Sequence, residues 1–198
     1  MRANNDENAE QKMTAIFLSG SRAINRLNDQ VRDRIQNMID QGFRILVGDA
    51  NGADKAIQKY LSERSYKNVV VYCAGATCRN NVGNWEINQV KVDPKLTGRA
   101  FYTQKDLQMA DEADYGFVLW DGKSAGSITN VLELLKRTKS VVVYLSKSET
   151  FTNVAQAEQL NALLDTCDET EFQSISKKVN VNRYLKELEV AQQGVLNL

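Results

Sequence analysis

The chain has 198 residues, with 25 basic and 25 acidic side chains and so no net charge, and it contains no histidine. That length suits one α/β domain plus an appendage, and the charge balance argues against a general nucleic-acid or membrane-surface binder while allowing a local basic patch. Without histidine there is no Ser-His-Asp or Cys-His catalysis and no His-ligated zinc, so any chemistry falls to carboxylates, Lys, Tyr, hydroxyls, Cys or backbone amides.

Residues 1–13 read as a flexible tail, polar and without the apolar segment of a secretory signal. Five apolar runs follow: Ala15–Leu18, Phe43–Val47, Val69–Cys73, Tyr115–Trp120 and Val141–Leu145. They are rich in Val, Ile and aromatics and mostly continuous, as strands buried on both faces are. Helical spacing lies between them: Leu27, Val31, Ile35 and Ile39, then Ala53, Ile57, Tyr60 and Leu61, then Ile128, Val131, Leu132 and Leu135. Lys105–Ala113 predicts a weaker, shorter helix before the fourth run. The alternation predicts a Rossmann-like, doubly wound α/β/α sandwich with a mainly parallel sheet of about five strands over residues 14–147.

Two regions stand outside this repeat. Residues 74–101 carry few apolar side chains and read either as a flap over a site or as a plain mobile insertion. Residues 148–198 form a helical extension that packs on the sheet's flank or makes an oligomer contact. The odd cysteine number, with Cys73 and Cys78 too far apart for a CxxC pair, predicts reduced thiols at Cys73, Cys78 and Cys167 in a cytoplasmic protein. No apolar run approaches the roughly 20 residues of a membrane span. No metal and no cofactor are expected.

In an open parallel sheet, ligands bind beyond the carboxyl ends of the strands where strand order reverses. After the first run comes Ser19-Gly20-Ser21-Arg22, a small turn whose amides and Arg22 suit a phosphate, although a tight turn needs a glycine in any case. After the second come Gly48 and Asp49, then Gly52 and Asp54 at a helix start; the carboxylates either meet a ligand hydroxyl or favour the helix dipole. After the fourth, Gly122-Lys123-Ser124-Ala125-Gly126-Ser127 leads into an amphipathic helix whose free N–H groups make an anion site. It is no P-loop, because position 117, where another glycine is required, is Phe117. The adjacent charges Lys105-Asp106 read as a solvated helix start.

Taken together, Gly20-Ser21-Arg22, the stretch Gly48-Asp49-Ala50-x-Gly52-Ala53-Asp54 and the Gly126-Ser127-x-x-Asn130 helix start resemble the SLOG superfamily, the Rossmann-like group of LOG phosphoribohydrolases, DprA/Smf proteins and YspA-like proteins. The likeness is closest to the YspA-like branch, through Lys105-Asp106-x-x-Met109, Ala113-Asp114-Tyr115-Gly116 and Trp120 to Asn130, and covers about residues 14–146. The resemblance implies a nucleoside phosphate or ADP-ribose-like ligand. Gly20, Ser21, Arg22, Gly48, Asp49, Asp54, Lys105, Gly122, Lys123, Ser124, Gly126, Ser127 and Asn130 would form its site. Asn130 stands where LOG enzymes carry a catalytic Glu, and an amide can neither act as a carboxylate base nor steady a developing cation by charge.

A binding or sensing protein for a nucleotide or sugar-nucleotide is therefore the first expectation. The alternative is an N-glycoside hydrolase or transferase working through carboxylates, with Asp121, Asp106 and Asp49 as candidates, Tyr102 as a possible acid, and Glu133 one helical turn beyond Asn130. A DprA-like role on single-stranded DNA is disfavoured by the neutral charge. A homo-oligomer is open.

Overall fold

The structure is a computed structural model that describes residues 13–196. The tail expected over residues 1–13 lies, up to residue 12, outside the described residues. Six strands run parallel: β1 (Ala15–Gly20), β2 (Arg44–Gly48), β3 (Val69–Ala74), β4 (Glu86–Val90), β5 (Tyr115–Trp120) and β6 (Val141–Leu145). A seventh, β7 (Thr150–Val154), lies antiparallel to β6. The order across the sheet is β4-β3-β2-β1-β5-β6-β7. The fold class is Rossmann-like α/β, with seven strands rather than about five.

Strand alternation divides the core. Ile16 and Leu18 of β1, with Ile45 and Val47 of β2, pack under α1 (Asp29–Asp40) and α2 (Ala53–Glu63). Phe17, Leu46, Val70 and Tyr72 face the other way, under α3 (Gly98–Glu112) and α4 (Ala125–Lys136). The central strands are thus apolar on both faces, which is why their runs read as continuous rather than alternating. Asn28 caps α1, its side chain accepting from Val31 N.

The two strands missed at sequence level are edge strands of mixed polarity. β4 (EINQV) and β7 (TFTNV) each bury one residue fully, so neither makes an apolar run. Residues 74–101 carry regular structure despite their few apolar side chains. They hold β4 and the first turn of α3, with a crossover over 75–85 that contains no helix. Hydrogen bonds fasten that crossover: Trp85 Nε1 donates to the Tyr66 carbonyl (2.8 Å), Val82 N to Gln58 Oε1 (2.9 Å), and Asn81 exchanges two bonds with the Trp85 backbone. The expected reduced state of the thiols is also corrected, because Cys73 and Cys78 form a disulfide. Cys167 alone is free. A five-residue offset is no CxxC, but the chain reverses sharply after β3 and brings the two Cα atoms to 5.2 Å.

α3 begins at Gly98, well before Lys105, so the expected short helix is a full one. Its amphipathic pattern is masked because Lys105 occupies an inward position between Phe101 and Met109. The C-terminal helices α5 (Ala157–Leu164), α6 (Glu169–Ser176) and α7 (Val181–Leu196) bury Leu160, Leu163, Ile175, Val181 and Leu185 in the α3/α4 core. They flank the sheet within the chain, and β7 continues the same sheet past residue 148. No helix among the described residues is long and apolar enough to cross a membrane.

Where β1 and β5 lie side by side, Gly20 is required by contact. A Cβ there would sit 2.5 Å from the Leu119 carbonyl and 2.8 Å from the Ala53 Cβ. Gly20→Ala is expected to cost about 1–3 kcal/mol, seen as a lower urea midpoint with unchanged slope.

Candidate functional site

The chain leaves β1 toward α1 on one face and leaves β5 toward α4 on the other, so a crevice opens between their carboxyl ends. It is a cleft of about 610 Å³. Of the residues singled out from sequence, Gly20, Ser21, Arg22, Asp54, Lys105, Asp106, Asp121, Lys123, Ser124, Gly126, Ser127 and Asn130 line it. Gly48, Asp49, Gly122 and Glu133 are not among its lining residues.

The loop after β5 is built on Asp121. One carboxylate oxygen accepts from the amides of Ser124 (2.8 Å) and Lys123 (3.1 Å), and the other from Ser21 Oγ (2.7 Å). Both oxygens are thus used in tying the β1 loop to the β5 loop, and the carboxylate suits positioning better than proton transfer. Gly122, at φ +80°, makes the left-handed turn this loop needs. Ser124 caps α4, its hydroxyl accepting from Ser127 N (3.4 Å). Asn130 Nδ2 donates to Ser19 Oγ (3.0 Å) between two buried side chains, which ties α4 to the end of β1.

Two features of this helix start face the cleft. Ser127 is 2% exposed, and its hydroxyl has no hydrogen-bond partner among the described residues. A Cβ on Gly126 would meet nothing closer than Ser124 Oγ at 3.7 Å, so packing does not require that glycine. Gly126 is exposed and puts no side chain over the positive start of α4.

The other wall holds a buried ionic cluster. Lys105 is 3% exposed; its Nζ donates to Asp106 (2.7 Å) and lies 3.8 Å from Asp54 Oδ2. Burial works against the ammonium, but Asp106 and Asp54 outweigh it and hold the Lys105 pKa above its ordinary value. Asp54 is less well compensated. Its cation stands off and Ala50 N is its hydrogen-bond donor, so burial pushes the carboxyl up to about 6. Gly48 makes room for the cluster, since a Cβ there would stand 2.3 Å from both Lys105 Nζ and Asp54 Oδ2. The expectation of a solvated Lys105-Asp106 pair is therefore corrected: Lys105 is core and Asp106 half-buried. Adjacent opposite charges look like a surface pattern in sequence, and nothing local marks the carboxylate arriving from α2.

Asp49, expected at a ligand hydroxyl, is taken by Arg79. Its Oδ2 accepts from Arg79 N (3.0 Å) and Nε (2.9 Å), and its Oδ1 from Nη2 (2.5 Å). Burial alone would raise this carboxyl, but the Arg79 hydrogen bonds and the Lys105 charge bring it below the usual carboxylate range. Glu133 faces elsewhere, paired with Lys136 (2.9 Å) and Arg137 (2.8 Å). Lys123 leans toward Glu171 at 3.6 Å.

Several cleft residues carried no signal in the sequence. Arg79 lies over the Tyr102 ring, 4.2 Å from its centroid. Arg99 reaches across to α4, donating to the Ala125 carbonyl (3.1 Å) and Thr129 Oγ1 (2.6 Å). Lys178 arrives from the segment after α6. Six cationic side chains and three carboxylates line the cleft, and Arg22, Arg99 and Lys178 have no carboxylate partner among the described residues. Metal-type donors come together among the described residues at Asp49, Cys73 and Cys78, but the sulfurs are bonded to each other and Asp49 is engaged by Arg79. Comparison with protein-family models and with curated proteins finds no match to this chain.

Lys105→Met leaves Asp54 and Asp106 without their cation and is expected to cost about 3–5 kcal/mol by chemical denaturation, part of it regained by adding Asp54→Asn. The Asp54 carboxyl sits at about 6 in the folded protein, above the ordinary 3.8 of an Asp side chain. Its contribution to stability is therefore complete below that lower value and is lost as pH rises through about 6. Wild-type stability is expected to fall relative to Asp54→Asn between about pH 4 and pH 7; a constant difference across urea titrations at each pH would refute this assignment.

Proposed function

We propose that the cleft binds an anionic, nucleotide-related ligand, a nucleoside phosphate or an ADP-ribose-like molecule, and that the protein works as a binding or sensing protein. The observation that carries this reading is the gathering of Arg22, Arg99 and Lys178, cations without carboxylate partners, around one cleft in a chain whose total charge is zero. The start of α4 adds to it. The positive end of the helix at the exposed Gly126 and the unpartnered Ser127 hydroxyl suit phosphate oxygens. Asp106 is a half-exposed acceptor for ribose hydroxyls. The resemblance to the SLOG superfamily points the same way.

One observation favours N-glycoside cleavage or transfer as a second reading. Asp54, whose carboxyl is raised to about 6, and Asp106 line the same cleft. Carboxyl groups with unlike environments are what glycosidic chemistry uses, one giving a proton and one steadying the oxocarbenium ion.

A thermal-shift series with nucleoside mono-, di- and triphosphates, NAD and ADP-ribose tests the first reading. A bound ligand at a hundredfold excess over its Kd stabilises by about 2.7 kcal/mol. Gly126→Ala is expected to abolish most of that shift while the unliganded variant is more stable by about 0.5–1 kcal/mol, because alanine suits a helix better than glycine. No shift with any of these compounds would sink the reading. Turnover by the wild type that Asp106→Asn removes, with binding kept, would establish the second.

A further inference from the structure

We propose that the Cys73–Cys78 disulfide is a thiol-responsive latch that sets the cleft's affinity for its anionic ligand by holding Arg79 at the cleft wall. The effect on affinity rests on the ligand reading above; the latch itself does not.

The argument starts from where the two sulfurs lie. Cys73 is fully buried near the end of β3, inside the α1/α2 core. Cys78 is part-exposed and immediately precedes Arg79. The bond therefore fastens a cleft-lining arginine to a rigid strand through a ring that includes only Ala74, Gly75, Ala76 and Thr77. Arg79 spends both its backbone amide and its guanidinium on Asp49, and lies over Tyr102. Next to it, Asn80 Nδ2 donates to the Asp49 carbonyl (2.7 Å) and to Asn51 Oδ1 (3.1 Å). The same short segment also touches α3, because Gly75 abuts the Phe101 ring beside Tyr102. The disulfide thus ties to β3 a crossover whose own contacts reach the β2 loop and α3, two walls of the cleft.

A ring this small adds little to global stability compared with a long-range bridge, so its consequence is local. The accessible sulfur is that of Cys78. Attack there by a dithiol releases Cys73 as a thiolate that takes up a proton, and leaves a mixed disulfide at Cys78. The reductant's second thiol then closes on its own sulfur and frees Cys78. Two electrons pass from the dithiol, which becomes a cyclic disulfide, and the protein gains two thiols. Glutathione disulfide reverses the change by the same exchange. Once the bond is open, residues 75–77 regain freedom, and the Arg79 stack on Tyr102 is held by hydrogen bonds alone.

The test uses the full chain after treatment with glutathione disulfide and after dithiothreitol. Thiol titration after unfolding in denaturant should find one free thiol in the oxidised form (Cys167) and three in the reduced form. Hydrogen exchange over residues 76–82 should quicken on reduction while that of Val70–Tyr72 in β3 stays slow. ADP-ribose, used as the probe, should bind about tenfold more weakly to the reduced form, the size expected when binding must itself order the loosened Arg79–Tyr102 wall of the cleft. The Cys73→Ser/Cys78→Ser double variant should match the reduced form with or without dithiothreitol, and Cys167→Ser should respond as the wild type does. Three thiols after oxidation, or unchanged exchange over 76–82, would overturn the latch whether or not ADP-ribose binds. Equal ADP-ribose affinity in the two forms would overturn its control of the cleft. Faster exchange on reduction with no ADP-ribose binding in either form would support the latch and overturn the ligand reading.

Discussion

The parallel pairing of β1 with β5 is the constraint from which the site follows. These two strands are neighbours in space but lie far apart in sequence, and their right-handed crossovers leave on opposite faces of the sheet. No loop can fill the space between their carboxyl ends, so a cleft is built into the topology. The chain then bridges the gap with polar side chains. Ser21 and Asp121 join the two loops, and Asn130 and Ser19 join α4 to β1. Gly20 lets the strand ends approach closely enough for those bonds to form.

A second organising element is the charge buried beside that gap. Taking Lys105 out of water is unfavourable unless carboxylates surround it, and Asp106 and Asp54 arrive from two different helices to do so. The cluster anchors α3 against the ends of β2 and α2. Asp49 and Arg79 make a second anchor of the same kind between the β2 loop and the crossover before β4. The cleft as a whole is lined by six cationic side chains against three carboxylates. A chain with no net charge thereby acquires a local positive site, from side chains and from the amino end of α4.

The strands of the central sheet were legible because burial on both faces demands continuous apolar runs. The edge strands β4 and β7 were not, since an edge half in solvent can be built from Glu, Asn, Gln and Thr. The glycine- and serine-rich loops after β1 and β5 were legible as loops at the carboxyl ends of parallel strands, and both line the cleft. Arg79, Arg99 and Lys178 were not. Each reaches the cleft from a segment with no motif of its own, and only the folding back of the crossover, α3 and the C-terminal helices brings them there. Glu133 shows the opposite limit, for its offset from Asn130 suggested the cleft whereas its side chain is held by Lys136 and Arg137.

The amino-acid sequence by itself determined the fold class, the absence of histidine chemistry and the loops that would carry any site, because hydropathy period and residue type are local properties. Tertiary structure decided the rest. Whether a lysine is solvated or core, whether a carboxylate is available or already taken, and whether two cysteines meet all depend on partners from distant parts of the chain. Lys105 beside Asp106 reads as surface in one dimension and becomes a buried anchor once Asp54 is beside it. The cysteines five residues apart become a disulfide only because the turn after β3 folds back on its own strand. Charge pairing and covalent pairing are decided by distance in space, and along the chain that distance is not written.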